Sequence, residues 1–344
     1  MAKIYLFVSL LLFALKAQSQ TTGFADLHNS ALYRLFATQR LQGLESKHPP
    51  VNLKAIRQLN TRLMVFSMGV PRFSMRHPDT VHIAQVVAFL QRFKTHIQHK
   101  YADFQFIDEH PKDRSKIRWM FALEGTHLLN GELHWIDSLH QAGVRMIGLG
   151  HWFHNHFIVN PSDTTYQNRA PEMINDQSVL SPRGKALVEY LIAKKIWLDV
   201  SHLRNTVFAQ VIALNRRRVP LIASHSNAYE VCPNSRNLTN VQIKAIVASG
   251  GLIGVCLHQP LIAQKASEAT LSKLVDHIQY LIKIAGSTHV AIGTDIEGLI
   301  HPPKSLNRLE YMVKIAEEMQ KRGIKTSVIE QIMWRNVVRV LGGH

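Results

Sequence analysis

Short apolar runs alternate along the chain with longer stretches whose apolar residues recur at helical spacing. The runs are rich in Val, Ile, Leu, Phe and Met and are bounded by glycine or polar residues, a pattern typical of buried β-strands. As they stand in the sequence, the eight runs are GFADLH near residue 25, RLMVFSMG after Thr61, IRWMFALEG ending at Gly125, VRMIGLGH ending at His151, KIWLDVSH ending at His202, PLIASHS ending at Ser226, GLIGVCLH ending at His258 and HVAIGTDIEG ending at Gly298.

The stretches between the runs carry the signals of helix ends. SPRGKALVEYLIAKK begins with Ser181 and Pro182, which suit the N-cap and the first position of a helix. Eight apolar strands alternating with helices predict a parallel sheet, and eight is the number that closes into an α/β fold of the (β/α)8 TIM-type barrel. An open, doubly wound sheet is the alternative, although no glycine-rich dinucleotide-binding fingerprint follows the first run.

Reactive side chains concentrate where the predicted strands end. In a barrel these ends converge on one mouth, where active sites of this fold are built. Taken singly, each such residue is better explained as a loop or surface position, but their joint placement favours a site with metal or acid-base chemistry. The residues are His28, Glu124, His151, His202, His225, His258 and Asp295. In contrast, six histidines fall in predicted helices or loops and are interpreted as structural or surface residues: His96, His99, His134, His140, His154 and His156.

The first twenty residues have the layout of a cleavable export signal. A basic start at Lys3 precedes an apolar run from Ile4 to Leu15, and the small residues Ala17 and Ser19 flank Gln18 just before a cleavage position after Ser19. We therefore expect a signal peptide over residues 1–19 and an exported protein, periplasmic or secreted, with no transmembrane segment in the mature chain. The apolar run is too short to span a bilayer, and a retained anchor is the alternative.

Composition limits the remaining choices. Of the 344 residues, 46% are hydrophobic and 19% are charged, which is enough for a large core, and we expect one barrel domain over residues 20–344. The net charge of +16 comes from dispersed Lys and Arg without interleaved aromatic residues, which favours a solvated basic surface over a nucleic-acid partner. Only Cys232 and Cys256 could form a disulfide, and the sequence leaves their pairing open.

Three stretches resemble one known family in their residues, order and spacing: LDVSH from Leu198, IASHSNAYEVCPNSRN from Ile222 and HVAIGTDIEG from His289. The sequence is similar there to the membrane (renal) dipeptidases, which are zinc enzymes of the amidohydrolase type. The resemblance extends to ALEGTHLL, AGVRMIGLGHWFHN, LSPRGKALVEYL and WRNVVRVL, and so covers nearly the whole predicted mature chain.

The resemblance implies a site for two Zn2+ ions and hydrolysis of dipeptides by a metal-bound hydroxide. It implies that Glu124 bridges the two ions, that His202 and His225 bind one zinc, and that His28 binds the other. It further implies that His151 stabilises the oxyanion, that Arg236 binds the substrate carboxylate and that Asp295 shuttles the proton. Imidazoles and carboxylates are ordinary zinc ligands, and the fork of an arginine suits a terminal carboxylate.

The opening motif departs from the family pattern Asp-x-His-x-Asp, because Ser30 stands where the second aspartate would bind the zinc of His28. Side chains alternate along a strand, so Ser30 should share a face with His28, but a neutral hydroxyl is not an ordinary zinc ligand. Asp26 should lie too far back along the strand to replace the missing ligand. We predict one tightly bound zinc and a second that is weak or absent.

Two further functions remain open. A non-catalytic barrel relative would bind peptide or metal without turnover, which Ser30 favours and which His151, Arg236 and Asp295 oppose. A zinc hydrolase for another small amide or lactone would keep the metal and change the substrate, because a fold does not determine specificity. A zinc dipeptidase remains the preferred hypothesis, and the sequence is compatible with a homodimer.

Overall fold

The computed structural model describes residues 23–69, 82–109, 113, 115–161, 173–216 and 218–342. The predicted signal peptide over residues 1–19 lies outside them. The strands are β1 (Phe24–Asn29), β2 (Thr61–Met68), β3 (Phe104–Phe106), β4 (Ile117–Glu124), β5 (Val144–Gly148), β6 (Ile158–Val159), β7 (Val179–Leu180), β8 (Trp197–Asp199), β9 (Leu221–Ala223), β10 (Leu252–Val255) and β11 (Val290–Ile292).

The main sheet follows the order of the chain. Within the described ranges, parallel neighbours run β1-β2-β4-β5-β8-β9-β10-β11, and these strands coincide with the eight predicted runs. The N-terminal half of β4 also pairs with the short strand β3, and its C-terminal half pairs with β5. Strands β6 and β7 form a separate antiparallel pair. The strand order confirms the predicted eight-strand α/β arrangement and rules out the open, doubly wound alternative, in which the order reverses.

The first and last strands of this series meet just beyond their ends. The Asp295 backbone N donates to the His28 carbonyl at 2.8 Å, and the Ser30 backbone N donates to the Ile296 carbonyl at 2.9 Å. Behind them, the Asp26 carboxylate accepts hydrogen bonds from the Thr294 backbone N at 2.9 Å and hydroxyl at 2.7 Å. These contacts bring the two edges of the sheet together, nearly closing a TIM-type barrel at its C-terminal rim.

Helices occupy the connections between the strands. Their bounds are Ala31–Thr38, Leu53–Gln58, Ile83–Lys100, Trp135–Ala142, Pro182–Ala193, Asn205–Asn215, Asn240–Ala248, Gln259–Ile262, Leu271–Ala285, Val313–Lys321, Thr326–Glu330 and Asn336–Leu341, with a π-helical turn at Gln331–Arg335. The predicted cap is present, because the Ser181 hydroxyl accepts from the Gly184 backbone N at 3.0 Å. In the part of the chain that the structure describes, no helix combines the length and apolarity needed to cross a membrane.

The two cysteines are not bonded to each other. Cys232 and Cys256 are both free thiols and both buried. The Cys232 thiol lies 3.6 Å from the Pro260 carbonyl, and the Cys256 sulfur accepts from the His258 backbone N at 3.5 Å. The disulfide that the sequence left open is therefore absent from the structure.

Candidate metal centre

The strand ends place the predicted site residues on one rim. Glu124 is the last residue of β4, and His28 lies one residue before the end of β1. His202 and Asp295 each follow the end of a strand by a few residues, and both have left-handed backbones with φ of 68° and 55°. Such φ values are uncommon outside glycine, and they are often found at functional sites where the surrounding structure holds the backbone.

The Glu124 carboxylate lies at the centre of four histidine rings. Its Oε1 atom is 3.1 Å from His202 Nε2, 3.3 Å from His225 Nε2 and 3.7 Å from His151 Nε2. Its Oε2 atom is 3.6 Å from His28 Nε2. The sequence pattern predicts these residues at the ends of separate strands, and the structure places them around one carboxylate.

The donor atoms fit a divalent cation. The Nε2 atoms of His202 and His225 face each other at 2.9 Å, and the Glu124 carboxylate lies beside both. The His28 Nε2 atom is buried and, among the described residues, has no hydrogen-bond partner. Buried polar atoms are normally paired, so an unpaired imidazole nitrogen aimed at a carboxylate is consistent with a ligand site. Three imidazoles and one carboxylate are also the donor types that zinc prefers.

The charges around Glu124 are strongly coupled. Burial raises the pKa of Glu124, but the surrounding histidines outweigh it and hold the pKa well below its ordinary value. Burial lowers the pKa of His28, yet Glu124, Asp295 and Asp199 reverse this effect and raise it to about 9. Burial also lowers the pKa of His225 to about 4. The rim therefore pairs an anionic carboxylate with both charged and neutral imidazoles before any cation binds.

Asp295 and Ser30 lie on the His28 side of the centre. Asp295 Oδ1 is 3.9 Å from His28 Nε2, and the Ser30 hydroxyl donates to the same oxygen at 3.4 Å. Burial raises the pKa of Asp295 to about 8, and the negative charge of Glu124 adds to this effect. Strand β1 ends at Asn29, so Ser30 is the N-cap of helix Ala31–Thr38 and not a strand residue that alternates with His28. Its hydroxyl nevertheless reaches the centre.

The rim opens into a cavity of about 690 Å3. Glu124, His151 and Asp295 line its inner part, and Arg236 and His258 also contribute to the lining. The Arg236 guanidinium donates to the His225 carbonyl at 3.4 Å, and no described carboxylate lies within 4.0 Å of it. Burial lowers the pKa of Arg236, because the buried guanidinium is removed from water.

Two polar residues, Asp199 and Ser224, lie behind the histidines and are not predicted as site residues by the sequence pattern. Asp199 ends β8 and Ser224 follows β9, and both are buried. The Asp199 carboxylate accepts from the Ser224 hydroxyl at 2.5 Å, and the same hydroxyl lies 3.0 Å from His28 Nδ1 and 2.8 Å from His225 Nδ1. Asp199 stands in the motif LDVSH, three residues before His202, and Ser224 stands in IASHS, directly before His225; these positions are the available sequence signal.

Comparison with known proteins identifies the family. The model of the membrane dipeptidases, peptidase family M19, matches residues 15–343. The chain belongs to the membrane dipeptidase family. The resemblance inferred from the sequence motifs is thereby confirmed, and with it the relationship to metallopeptidases.

Two fungal members of the membrane dipeptidase family illustrate the distance to curated relatives. Dipeptidase tcpJ of Claviceps purpurea is 27% identical over 349 residues, a match that covers 95% of this chain and 79% of that protein. Dipeptidase aclJ of Aspergillus oryzae is 30% identical over 228 residues, which is 66% of this chain and 51% of that protein. The match to aclJ therefore spans about half of that relative.

Solved structures of metallopeptidases share the fold. A metallopeptidase from Rhodobacter sphaeroides, liganded with a phosphinate mimic of the dipeptide L-Ala-D-Ala, has a TM-score of 0.76 at 20% identity, covering 94% of this chain and 99% of that one. A dipeptidase of family M19 has a TM-score of 0.78 at 20% identity, covering 94% and 100%. These neighbours support the barrel architecture of this membrane dipeptidase family member.

Proposed function

We propose that this chain is a zinc-dependent dipeptidase. The observation that carries the proposal is the position of the Glu124 carboxylate, within 3.7 Å of the Nε2 atoms of His202, His225, His151 and His28. Membership of a metallopeptidase family supports hydrolysis as the reaction. The size of the cavity, about 690 Å3, is compatible with a small peptide.

The two sides of Glu124 hold zinc with different strength. On one side, Glu124, His202 and His225 offer ligand atoms that all lie within 4.8 Å of one another, and this group binds the tight zinc. On the other side, Ser30 stands where the family pattern has a second aspartate, and the Asp295 carboxylate, 3.9 Å from His28 Nε2, is assigned to proton transfer and accepts from the Ser30 hydroxyl. A hydroxyl adds no negative charge against a dication, so the zinc on this side is weak or absent.

Zinc bound at this centre supplies a Lewis acid that polarises the scissile carbonyl and activates a water molecule. Asp295 takes a proton from the attacking water and delivers it to the departing amine nitrogen as the C–N bond breaks. The His151 ring donates a hydrogen bond to the carbonyl oxygen as negative charge develops there. The products are a carboxylic acid and a free amine, so one water molecule accounts for all the atoms added.

Arg236 selects for short substrates that end in a carboxylate. Its guanidinium lines the cavity without an ion-pair partner among the described residues, and the planar fork can donate two parallel hydrogen bonds to a carboxylate. A longer peptide would carry an uncharged amide at that position and would lose the charge-assisted contact. This supports dipeptides over long chains as the substrate class.

Two other functions are distinguished from this proposal by particular residues. A non-catalytic relative that binds peptide or metal is favoured by Ser30, which weakens one metal corner. A zinc hydrolase for another small amide or lactone would use the same centre and would not need Arg236. The placement of His151, Asp295 and Arg236 around one cavity favours the dipeptidase.

The deciding experiment measures metal content and dipeptide hydrolysis together. Purified protein is analysed for bound zinc and is assayed on a panel of dipeptides, with and without added zinc, alongside Asp295→Asn. We expect about one tightly held zinc per chain, measurable hydrolysis, and a loss of rate of about 100-fold or more in Asp295→Asn with zinc content unchanged.

The matched control is Asp103→Asn, because Asp103 pairs with Arg57 near the start of β4, away from the rim. This variant should retain full activity. Absence of hydrolysis at saturating zinc would leave the non-catalytic alternative, and two tightly held zincs would overturn the assignment of a weak second site.

Export is the second part of the proposal. It is supported by the leader at residues 1–19, with its basic start, short apolar run and small residues before the cleavage position. N-terminal analysis of protein from the medium or the periplasm should give Gln20 as the first residue. A chain that retains Met1 and stays with the membrane would instead support the retained anchor. The sequence leaves a homodimer open, and light scattering of the purified protein tests for it.

A further inference from the structure

Asp199 and Ser224 form a buried polar pair directly behind the metal centre. One Asp199 oxygen, Oδ1, accepts from the backbone N of Ser201 at 2.9 Å and of Ser224 at 3.1 Å. The other oxygen, Oδ2, accepts from the Ser224 hydroxyl at 2.5 Å. One Asp199 oxygen therefore accepts hydrogen bonds from the backbone of the rim, and the other accepts a hydrogen bond from a single hydroxyl.

The Ser224 hydroxyl is shared by two histidine rings from different strands. His28 Nδ1 lies 3.0 Å from Ser224 Oγ, and His225 Nδ1 lies 2.8 Å from it. The Ser201 hydroxyl is a more distant neighbour of Ser224 Oγ at 3.4 Å, and it accepts from the His225 backbone N at 3.2 Å. Ser224 is thus the only described residue whose side chain contacts the inner nitrogens of both His28 and His225.

Counting protons fixes the direction of these hydrogen bonds. A carboxylate can only accept, so the single proton of the Ser224 hydroxyl points to Asp199. The hydroxyl oxygen is left with two lone pairs and no proton for the rings. Each contacting Nδ1 atom must therefore carry a proton and donate it. In a neutral ring such as His225, a proton held on Nδ1 leaves a bare lone pair on Nε2, and Nε2 is the atom that faces Glu124 in both rings. His28, whose pKa is raised, would reach the same form by giving up its Nε2 proton when a cation binds.

We propose that Asp199 and Ser224 are positioning residues that hold a proton on Nδ1 of both His28 and His225 and so present Nε2 of each ring to zinc. The inference rests on the proposed metal centre, because it explains how that centre keeps two ligands in the binding tautomer. Partners of this kind behind metal-binding histidines fix ring orientation, and their loss commonly weakens metal binding about 10- to 100-fold.

His202 provides an internal contrast. Its Nε2 atom also faces Glu124 and His225, but its buried Nδ1 atom has no hydrogen-bond partner among the described residues. Among the described residues, no side chain behind the ring therefore holds a proton on Nδ1 of His202. The Asp199–Ser224 pair instead serves His225 and His28, whose Nε2 atoms approach different oxygens of Glu124 and which are assigned to different zinc ions. One hydroxyl thus orients a ligand of each.

Three variants separate this role from simple packing. Asp199→Asn keeps an oxygen for the two backbone donors, but its amide N–H now donates to the Ser224 oxygen. The Ser224 proton must then turn to a ring, and His225 is the closer of the two. Ser224→Ala removes the shared acceptor. Ser226→Ala is the matched control, because Ser226 is equally buried two residues further on and its hydroxyl has no hydrogen-bond partner among the described residues.

The first readout is the proton position on His225 in metal-free protein, from 15N NMR of histidine-labelled chains with His225→Gln to assign the signal. We expect the wild type and Ser226→Ala to carry the proton on Nδ1 with Nε2 bare. In Asp199→Asn the proton should move to Nε2, and in Ser224→Ala the two tautomers should mix. A wild-type proton on Nε2, or an unchanged tautomer in Asp199→Asn, would overturn the proposal.

The second readout is zinc affinity, from competition with a chelator. Asp199→Asn and Ser224→Ala should bind zinc about 10- to 100-fold more weakly than the wild type, and Ser226→Ala should bind as the wild type does. Equal weakening in Ser226→Ala would show that strand packing is responsible and would contradict the proposal. If the wild type binds no zinc and cleaves no dipeptide, the proposed function fails, while the NMR measurement on metal-free protein still decides the proton positions.

Discussion

At the scale of single residues, Ser30 stands where a helix begins and beside the corner of the centre proposed to hold zinc weakly. It is the N-cap residue of helix Ala31–Thr38, but its hydroxyl makes no capping hydrogen bond and instead contacts Asp295 at 3.4 Å. Because the serine side chain does not cap the helix and aspartate is a favoured N-cap residue, a substitution to aspartate should not disturb the helix. The residue therefore offers a way to change the charge of the corner without changing the fold.

Ser30→Asp should raise zinc content from about one to about two per chain. In metal-free protein the new carboxylate would lie beside Asp295, and like charges repel, so the variant should be less stable than the wild type. With zinc present, the variant should instead be more stable than the wild type, because both carboxylates then face a dication. Metal analysis and thermal unfolding with zinc or with a chelator measure the two effects.

The control for this prediction is Ser30→Asn, which has nearly the size of aspartate and can also cap the helix but carries no charge. It should leave zinc content at the wild-type value. An equal gain of zinc in both variants would mean that size and not charge limits the second site.

Arg236→Ala should raise the KM for dipeptides about 10- to 100-fold while changing kcat much less. The guanidinium has no ion-pair partner among the described residues, so the substrate carboxylate is the group that would lose its contact. Steady-state kinetics on a dipeptide and on the matching dipeptide amide separate the effects, because the amide should respond weakly. A similar rise for both substrates would argue against carboxylate recognition.

The sequence could predict the residues gathered around Glu124, but not those behind them. His28, His202 and His225 lie at or near recognisable strand ends, and their chemistry marks them. Asp199 and Ser224 stand beside them, yet a serine or aspartate near a strand end is common in any turn. Their role depends on the distances from one hydroxyl to rings on two other segments, and only the three-dimensional structure supplies those distances.

At the scale of elements, His277 ties the Arg236 loop to a helix. It lies on helix Leu271–Ala285 and is fully buried. Its Nδ1 atom accepts from the Ala228 backbone N at 3.1 Å, and its Nε2–H donates to the Ile262 carbonyl at 3.0 Å. Burial lowers the pKa of His277 to about 4. The neutral ring thus bridges two loops, and a second ring proton would displace the Ala228 donor.

The free energy of unfolding should therefore fall as pH drops from about 6.5 to about 4. The folded pKa of His277 lies below the ordinary value of 6.5, so its contribution is fully present above 6.5 and is lost as the unfolded chain takes up the proton more readily. One such group changes the slope by up to about 1.4 kcal/mol per pH unit. Urea unfolding of wild type and His277→Asn at pH 7 and pH 5 measures the difference.

The exposed histidine variant His134→Asn is the control for the pH series, because His134 is not buried. It should retain the wild-type pH slope, whereas His277→Asn should be less stable at pH 7 and show a shallower slope. Parallel pH curves for wild type and His277→Asn would contradict a bridging role of the neutral ring.

The elements were predicted well where their apolar pattern was long enough. All eight predicted runs are strands in the main sheet, because these strands are almost entirely buried and are therefore rich in apolar residues. The short strands β3, β6 and β7 were missed, since two or three residues leave no periodicity to detect. The sequence pattern predicts Ser30 as a strand residue on the same face as His28. In the structure the strand ends at Asn29 and helix Ala31–Thr38 begins directly after Ser30, so the alternation of side chains stops before Ser30.

At the scale of the whole molecule, bound zinc should stabilise the fold. Glu124, His202 and His225 belong to three different strand ends, so a shared ion would bind the folded chain and not the unfolded one. At 100 times the dissociation constant, such binding adds about 2.7 kcal/mol to the free energy of unfolding. Thermal scans should show a melting temperature several degrees higher in zinc than in a chelator.

The matched variant is Glu124→Gln, which keeps the shape of the side chain and removes its charge. Its melting temperature should respond little to zinc. A wild type that melts at the same temperature with and without a chelator would count against a tightly held ion.

The contact between the first and last strands also sets the order in which the centre can form during synthesis. Ser30 and Asp295 are 265 residues apart in sequence, whereas His202 and Glu124 are separated by 78. A ribosome releases the chain from its N-terminus, so the three residues proposed to hold the tight zinc, Glu124, His202 and His225, emerge before Asp295, which lies beside His28. The growing chain would thus be able to bind one ion early. The corner beside Ser30 would be complete only when the segment after the last strand packs against the end of the first strand.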